Sequence, residues 1–252
     1  MQDFSVVVPA RYASTRLPAK MLAPIAGRPL LQWVWERACA SGARRVIVAT
    51  DDERILAVAK GFGAECLMTA AQHASGTDRV AEVVRRLGLA AEEIVVNVQG
   101  DEPLIDPQLI ERLATLLGEN GAADVATAAA PIANLAEFLD PNCVKAVCGA
   151  TGEALYFSRA PIPWPREDAP DAKPTRFDGA WRHIGLYAYR VAGLLRLAGL
   201  APTALERLER LEQLRALEHG MRIHVLALAQ APPPGIDTIE DLERVRAMLG
   251  GA

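Results

Sequence analysis

Short apolar runs alternate with segments of helical periodicity through the first half of the chain, and this alternation constrains the fold more than any other feature. Phe4 to Val8, Arg44 to Ala49, Ala64 to Met68 and Glu93 to Val98 read as strands. Leu30 to Ala40 follows Pro29, a favoured first-turn residue, and reads as a helix. Further helices are predicted behind the Thr50-Asp51-Asp52 cap as far as Ala59, over Thr77 to Leu87, and from Asp106-Pro107 to about Leu117. Strands separated by helices of this length imply right-handed crossovers and a parallel sheet. Continuous apolar strands such as Ile94-Val95-Val96 suit a sheet covered on both faces. In such sheets ligands sit beyond the carboxyl ends of the strands, which directs attention to the loops starting at Pro9, Thr50 and Asn97.

The second half changes texture. Strands are predicted over Ala122 to Ala130, Val144 to Val147, Ala154 to Phe157, Ile184 to Tyr189 and Met221 to Ala227. A long helix is predicted from Thr203 to His219, stopped by Gly220, and a last one from Thr238 to Met248. Ser158 to Gly179, rich in Pro, Asp and Arg, reads as an irregular excursion, either a disordered linker or, given the apolar residues that punctuate it (Ile162, Trp164, Phe177, Trp181), a loop packed on a partner subunit. The fold class expected is α/β, with a mostly parallel central sheet and helices on both faces. The whole chain, 1–252, is read as one domain. The change of texture divides it into a first half of about residues 1–120 and a smaller lobe of about residues 121–235.

The net charge of −4 over 252 residues carries no overall nucleic-acid footprint. Met1-Gln2-Asp3 offers no basic signal-peptide start, and no apolar run approaches the length of a membrane span, so a cytoplasmic protein is predicted. Cys39, Cys66, Cys143 and Cys148 lack CxxC spacing and read as small packing residues. The histidines show no paired spacing, which argues against zinc.

Two segments carry chemistry. The loop after the first strand, Pro9 to Lys20, contains Arg11, Arg16 and Lys20, with hydroxyls from Ser14 and Thr15. A triphosphate needs charge neutralisation and many donors, and such a loop supplies both. The same composition also fits a solvated basic loop. Lys20 is one of only four lysines in a chain that otherwise uses Arg, which suggests a point charge beside a phosphate. The second segment, Gln99-Gly100-Asp101-Glu102-Pro103, follows the fourth strand, and Ile236-Asp237-Thr238 precedes the last helix. Two carboxylates with phosphate oxygens and water suit Mg²⁺. Asp101 equally suits a turn, and Asp237 a helix cap.

The runs Val8 to Pro18, Ser75-Gly76-Thr77-Asp78-Arg79 and Asn97 to Pro103 resemble those of the 3-deoxy-manno-octulosonate (Kdo) cytidylyltransferase family, the CMP-Kdo synthetases. The resemblance continues through Tyr156 to Trp164, Arg182 to Tyr187, Leu211 to Arg215 and Ile236 to Thr238, and so spans nearly the whole chain in order. It implies the nucleotide-diphospho-sugar transferase fold, with a nucleotide-binding half over about residues 1–120 and a sugar-binding and dimerisation lobe over about residues 121–235, a homodimer, and transfer of CMP from CTP to Kdo for lipopolysaccharide synthesis with Mg²⁺. It also implies site roles. Arg11, Lys20 and Asp101 would be catalytic, with Arg11 and Lys20 on the CTP phosphates. Pro9, Ala10, Ser14, Ser75, Gly76, Arg79, Gln99 and Gly100 would complete the nucleotide site. Gln99, Arg159, His183, Tyr187, Glu212 and Gln213 would surround the sugar acid, and Asp101 and Asp237 would hold the metal. Many members of that family carry Gly-Lys-Pro where this chain has Ala19-Lys20-Met21, and an alanine there is expected to keep an ordinary negative φ. Sialic acid, 8-amino-Kdo or methylerythritol phosphate as acceptor, and a silent nucleotide-binding protein, are the competing readings.

Overall fold

The computed structural model describes residues 3–13, 17–166 and 176–250. Strand β1 (Phe4–Ala10) is followed by a 3-10 turn (Lys20–Leu22) and a small hairpin of β2 (Pro24–Ile25) and β3 (Arg28–Pro29). Then come α1 (Leu30–Cys39), β4 (Arg45–Thr50), α2 (Glu53–Gly61), β5 (Glu65–Met68), α3 (Gly76–Leu87), β6 (Ile94–Asn97) and α4 (Pro107–Glu119). The second half contains β7 (Val125–Pro131), α5 (Leu135–Leu139), β8 (Lys145–Cys148), β9 (Ala154–Ser158) and β10 (Trp181–Arg190). It closes with α6 (Val191–Gly199), α7 (Ala204–Glu209), α8 (Gln213–Glu218), β11 (Ile223–Ala227) and α9 (Ile239–Gly250).

The main sheet runs β11-β7-β10-β6-β1-β4-β5, with β8 joining at β10 and β9 at β8. Strands β6, β1, β4 and β5 are mutually parallel, as the crossover pattern requires. Strand β10 lies antiparallel between β6 and β7, so the sheet is mixed beyond its parallel half. Alternate residues of β1 feed two cores. Phe4, Val6, Val8 and Ala10 pack with Leu31 and Val34 of α1 and Leu113 of α4. Val7 faces the opposite layer with Val80 and Val84 of α3 and Leu194 of α6. Each such fully buried aliphatic side chain contributes roughly 1.5–3 kcal/mol relative to exposure. A small third cluster forms around Phe138, which packs against Phe177 at 6.4 Å between ring centroids.

The single long helix predicted from Thr203 to His219 is two helices. Thr203 and Glu206 form a capping box that starts α7, and the chain then turns at Arg210, whose φ is 53°. The charge spacing continues through this break, which is why the pattern reads as one helix. Packing decides otherwise. Leu208 stays 81% exposed while Leu211 and Leu214 enter the core, and the turn also aims Glu212 at Thr77. Arg215 then reaches back to Glu206 and fixes the two helices to each other. Helix α6 has no counterpart in the sequence reading.

Candidate active site

The cationic loop leaves the carboxyl end of β1, where Pro9 and Ala10 are buried. Arg11 follows, with Nη2 buried and lacking a hydrogen-bond partner among the described residues. Burial and the neighbouring Arg79 guanidinium lower the Arg11 pKa, opposed by Asp51 and Asp78. The Arg54 guanidinium covers the Tyr12 ring at 3.3 Å from its centroid. Ser14, Thr15 and Arg16 lie outside the described residues.

The loop closes when Ala19 N–H donates to the Tyr12 carbonyl at 3.2 Å. Ala19 adopts φ 56° and ψ 23°, the left-handed conformation, contrary to the negative φ expected of an alanine. The reversal is needed because the next turn must carry Lys20 and Met21 inward, where both are buried. A left-handed alanine costs roughly 1–2 kcal/mol, partly offset because glycine has more freedom to lose from the unfolded chain. Ala19→Gly is therefore expected to raise the melting temperature by about 2–4 °C in a chain this size, measured by calorimetry. An unchanged or lower value would show that the turn carries no strain.

Lys20 is 5% exposed. Its Nζ donates to Asp101 Oδ2 at 2.7 Å, to the Ile236 carbonyl at 2.6 Å and to Asp237 Oδ1 at 3.3 Å. Ile236 is fully buried, and its N–H donates to the Asp101 carbonyl at 2.8 Å, which ties the two aspartate segments together. Asp237 does not cap α9. Thr238 Oγ1 and Asp241 do so reciprocally, which leaves the Asp237 carboxylate facing Lys20. Two carboxylates and a carbonyl around one cation are hard oxygen donors, and the set fits Mg²⁺ completed by phosphate and water.

Gly100 lets this happen. A Cβ there would stand 2.9 Å from the Pro9 carbonyl oxygen and 3.0 Å from Met21 Sδ. Backbone cannot yield as a flexible side chain can, so Gly100→Ala must push Asp101 away from Lys20. A displacement near 1 Å at a reacting centre costs on the order of 10²-fold, and steady-state kcat/KM is expected to fall by that factor. A variant with near-normal kcat/KM would show that the close approach is dispensable.

Pro9, Arg11, Lys20, Gly76, Gln99, Gly100, Asp101 and Asp237 together line a cleft of about 310 Å³ at the carboxyl edge of the parallel strands. Ser75 caps α3 in a box with Asp78, so the amino terminus of α3 enters the cleft at Gly76 with its positive pole foremost. Arg79 is placed differently from expectation. It does not line the cleft surface but is fully buried, with Nη2 donating to Asp51 Oδ2 at 2.7 Å and Nη1 to Thr69. A buried guanidinium needs such partners, and here they pin α3 to the ends of β4 and β5. A larger cavity of about 780 Å³ lies at the ends of β7 and β11, but its Arg182 is already paired with Glu137 at 2.8 Å.

A cytidylyltransferase family model matches residues 5–223. The chain is 54% identical to a 3-deoxy-manno-octulosonate cytidylyltransferase of Pseudomonas fluorescens, with 98% of each protein covered. It is 56% identical to the protein of the same name from Cellvibrio japonicus, again over 98% of each. The chain belongs to the 3-deoxy-manno-octulosonate cytidylyltransferase family. A solved CMP:2-keto-3-deoxy-manno-octonic acid synthetase complexed with CTP shares 41% identity with it, covers 99% of each chain and gives a TM-score of 0.89. A nucleotidyl transferase from Methanothermobacter, at 16% identity and a TM-score of 0.63, shares the fold alone.

Of the residues that the cytidylyltransferase resemblance points to the sugar acid, Tyr187 is tied to the cleft segment by strand pairing and Glu212 through Thr77, next to Gly76. Tyr187 of β10 sits opposite Asn97 of β6, two residues before Gln99. Tyr187 lies 5.4 Å from His183 and stacks on Tyr189 at 5.8 Å, while Phe157 meets His183 edge-on at 5.0 Å. Burial pushes the His183 pKa down to about 4, so its ring is neutral at pH 7. Glu212, at the start of α8, accepts from Thr77 Oγ1, and burial raises its pKa. Gln213 is buried beside it. Arg159 is held at the end of β9 by main-chain carbonyls, with Nε to Glu209 at 2.7 Å and Nη1 to Pro141 at 2.8 Å.

Three residues adjoining the segments that line the cleft were given no role by the sequence reading. Thr77 joins the start of α3 to the start of α8 by donating to Glu212, and its place in the Ser75–Arg79 run was the available signal. Glu102 lies against Gly235, and burial with the adjacent Asp101 charge pushes its carboxyl up to about 7. Asn97 Oδ1 is buried without a hydrogen-bond partner among the described residues.

Proposed function

We propose that this chain transfers CMP from CTP to the anomeric hydroxyl of Kdo and releases pyrophosphate. The observation that carries this reading is the meeting of Lys20, Asp101 and Asp237 beside Arg11 in one cleft. The hydroxyl oxygen bonds to the α-phosphorus, the bond from that phosphorus to the bridging oxygen breaks, and pyrophosphate leaves with the electron pair. The hydroxyl proton passes to solvent.

Arg11 and Lys20 stabilise negative charge on the phosphate tail, and the amino terminus of α3 at Gly76 adds backbone donors. Asp101 and Asp237 would hold Mg²⁺, which supplies Lewis-acid stabilisation of the phosphate oxygens when bound. In the unloaded cleft Lys20 pairs with both aspartates. Tyr187, His183, Glu212, Gln213 and Arg159 orient the acceptor. Arg79 acts from below by fixing α3. The second half forms the sugar-binding and dimerisation lobe of a cytoplasmic homodimer serving lipopolysaccharide synthesis. Exposed Leu155 on β9, which pairs only with β8 in the sheet as described, and exposed Trp164 support that contact.

Pyrophosphate release from CTP is measured across Kdo, 8-amino-Kdo, sialic acid and methylerythritol phosphate, with and without Mg²⁺. Kdo is expected to give the highest kcat/KM, and only with the divalent ion. A higher value for another acceptor, or no turnover with any, would overturn the assignment.

A further inference from the structure

Strand β10 carries an irregularity in its pairing with β7. Ile184 sits opposite Ala128, but the next matched pair is Tyr187 with Thr127, so Gly185 and Leu186 are extra residues in the strand. Such a bulge takes carbonyls off the ladder and re-aims side chains. Two of those carbonyls converge on the hydroxyl of fully buried Thr127, Leu186 O at 2.9 Å and Ile184 O at 3.1 Å. The same Thr127 Oγ1 stands 2.9 Å from His183 Nε2.

A threonine hydroxyl has one proton, and a carbonyl oxygen only accepts. The Thr127 proton must therefore go to Leu186 O or Ile184 O, because any other orientation sets an oxygen lone pair against both carbonyls in a buried site. Toward the imidazole, Thr127 Oγ1 is then an acceptor. His183 Nε2 must carry the ring proton and donate it. A neutral imidazole has one such proton, so Nδ1 is left with a lone pair.

We propose that Thr127 is a positioning residue that fixes His183 as the Nε2–H tautomer, so that Nδ1 meets the acceptor substrate as a hydrogen-bond acceptor for a sugar hydroxyl. This rests on the reading that His183 faces the sugar acid. It assigns the imidazole a different job from the carboxylate-binding cation its residue type suggests. The low pKa of the ring agrees, since protonation would need Nδ1–H as well. Recognition of the sugar carboxylate falls to other donors.

The test is long-range proton–nitrogen correlation NMR on protein labelled with nitrogen-15 histidine, with the His183 signals assigned by loss in His183→Gln. Wild type and Thr127→Ser are expected to show Nε2 protonated and Nδ1 bare. Thr127→Val is expected to lose that single tautomer and to raise KM for Kdo on the order of tenfold, with KM for CTP unchanged and Thr127→Ser close to wild type. A wild-type ring protonated at Nδ1 would overturn the proposal. So would a Thr127→Val protein that keeps both the tautomer and the KM. If Thr127→Val fails to fold, the wild-type and Thr127→Ser spectra still decide the ring state. Failure of the wild type to use Kdo at all would refute the proposed activity and the sugar contact with it, and the ring state would still be read separately.

Discussion

Lys20→Ala lowers the rate of CMP transfer by on the order of 10²- to 10³-fold while the protein stays folded. The effect follows from the two sets of oxygens this ammonium serves. In the unloaded cleft it pairs with Asp101 and Asp237, and on the proposed reading it would serve the phosphate tail when CTP is bound. Alanine removes a charge that the transition state needs. Removing one partner of a buried ion pair can cost several kcal/mol, but here Asp101 and Asp237 keep 30% and 51% of their side-chain surface. Water and solution cations can therefore take over, and thermal unfolding should shift only slightly. With this competing ammonium gone from Asp101, the pair should also bind Mg²⁺ more tightly, so added Mg²⁺ should raise the melting temperature of the variant more than that of wild type. A near-normal turnover would remove Lys20 from the mechanism. An Mg²⁺ response equal to wild type would remove it from the aspartate pair.

Asp101→Asn should lose at least as much, on the order of 10²- to 10³-fold in kcat. The substitution keeps the shape of the side chain and deletes its charge. Lys20 retains the Ile236 carbonyl and Asp237, and the backbone link from Ile236 N–H to the Asp101 carbonyl does not involve the side chain. The fold should therefore survive, with a melting temperature within a few degrees of wild type. On the proposed reading the Mg²⁺ site would lose one of its two carboxylates, and a neutral amide oxygen is a poorer ligand for a small divalent cation. Single-turnover rates at saturating CTP, Kdo and Mg²⁺ measure the effect. A rate within threefold of wild type would exclude Asp101 from the chemistry.

Much of the parallel half was legible because its rules are local. Asp52, Asp106 and Ser75 each sit at a helix start where short polar side chains satisfy free backbone N–H groups. The region from Val191 to Glu218 was less legible. Helix α6 is apolar around most of its circumference and gives no clean periodic face. The α7–α8 break is hidden by an uninterrupted run of helix-forming residues, and only the burial of Leu211 and Leu214 against exposed Leu208 forces the turn at Arg210. The left-handed Ala19 was misread for a related reason. Local preference opposes that conformation, and the burial of Lys20 and Met21 outweighs it.

The sequence by itself placed the Arg11–Lys20 loop and the Gln99–Asp101 segment at the carboxyl ends of parallel strands, because strand period and helix spacing are properties of short windows. It could name Asp237 but not bring it to Lys20, 217 residues away. That meeting, the enclosure of Arg79 and the setting of the Thr127 hydroxyl between two carbonyls and His183 were decided only by the tertiary structure. Contacts between distant segments depend on how whole layers pack and on which buried polar groups must find partners. No local pattern encodes either.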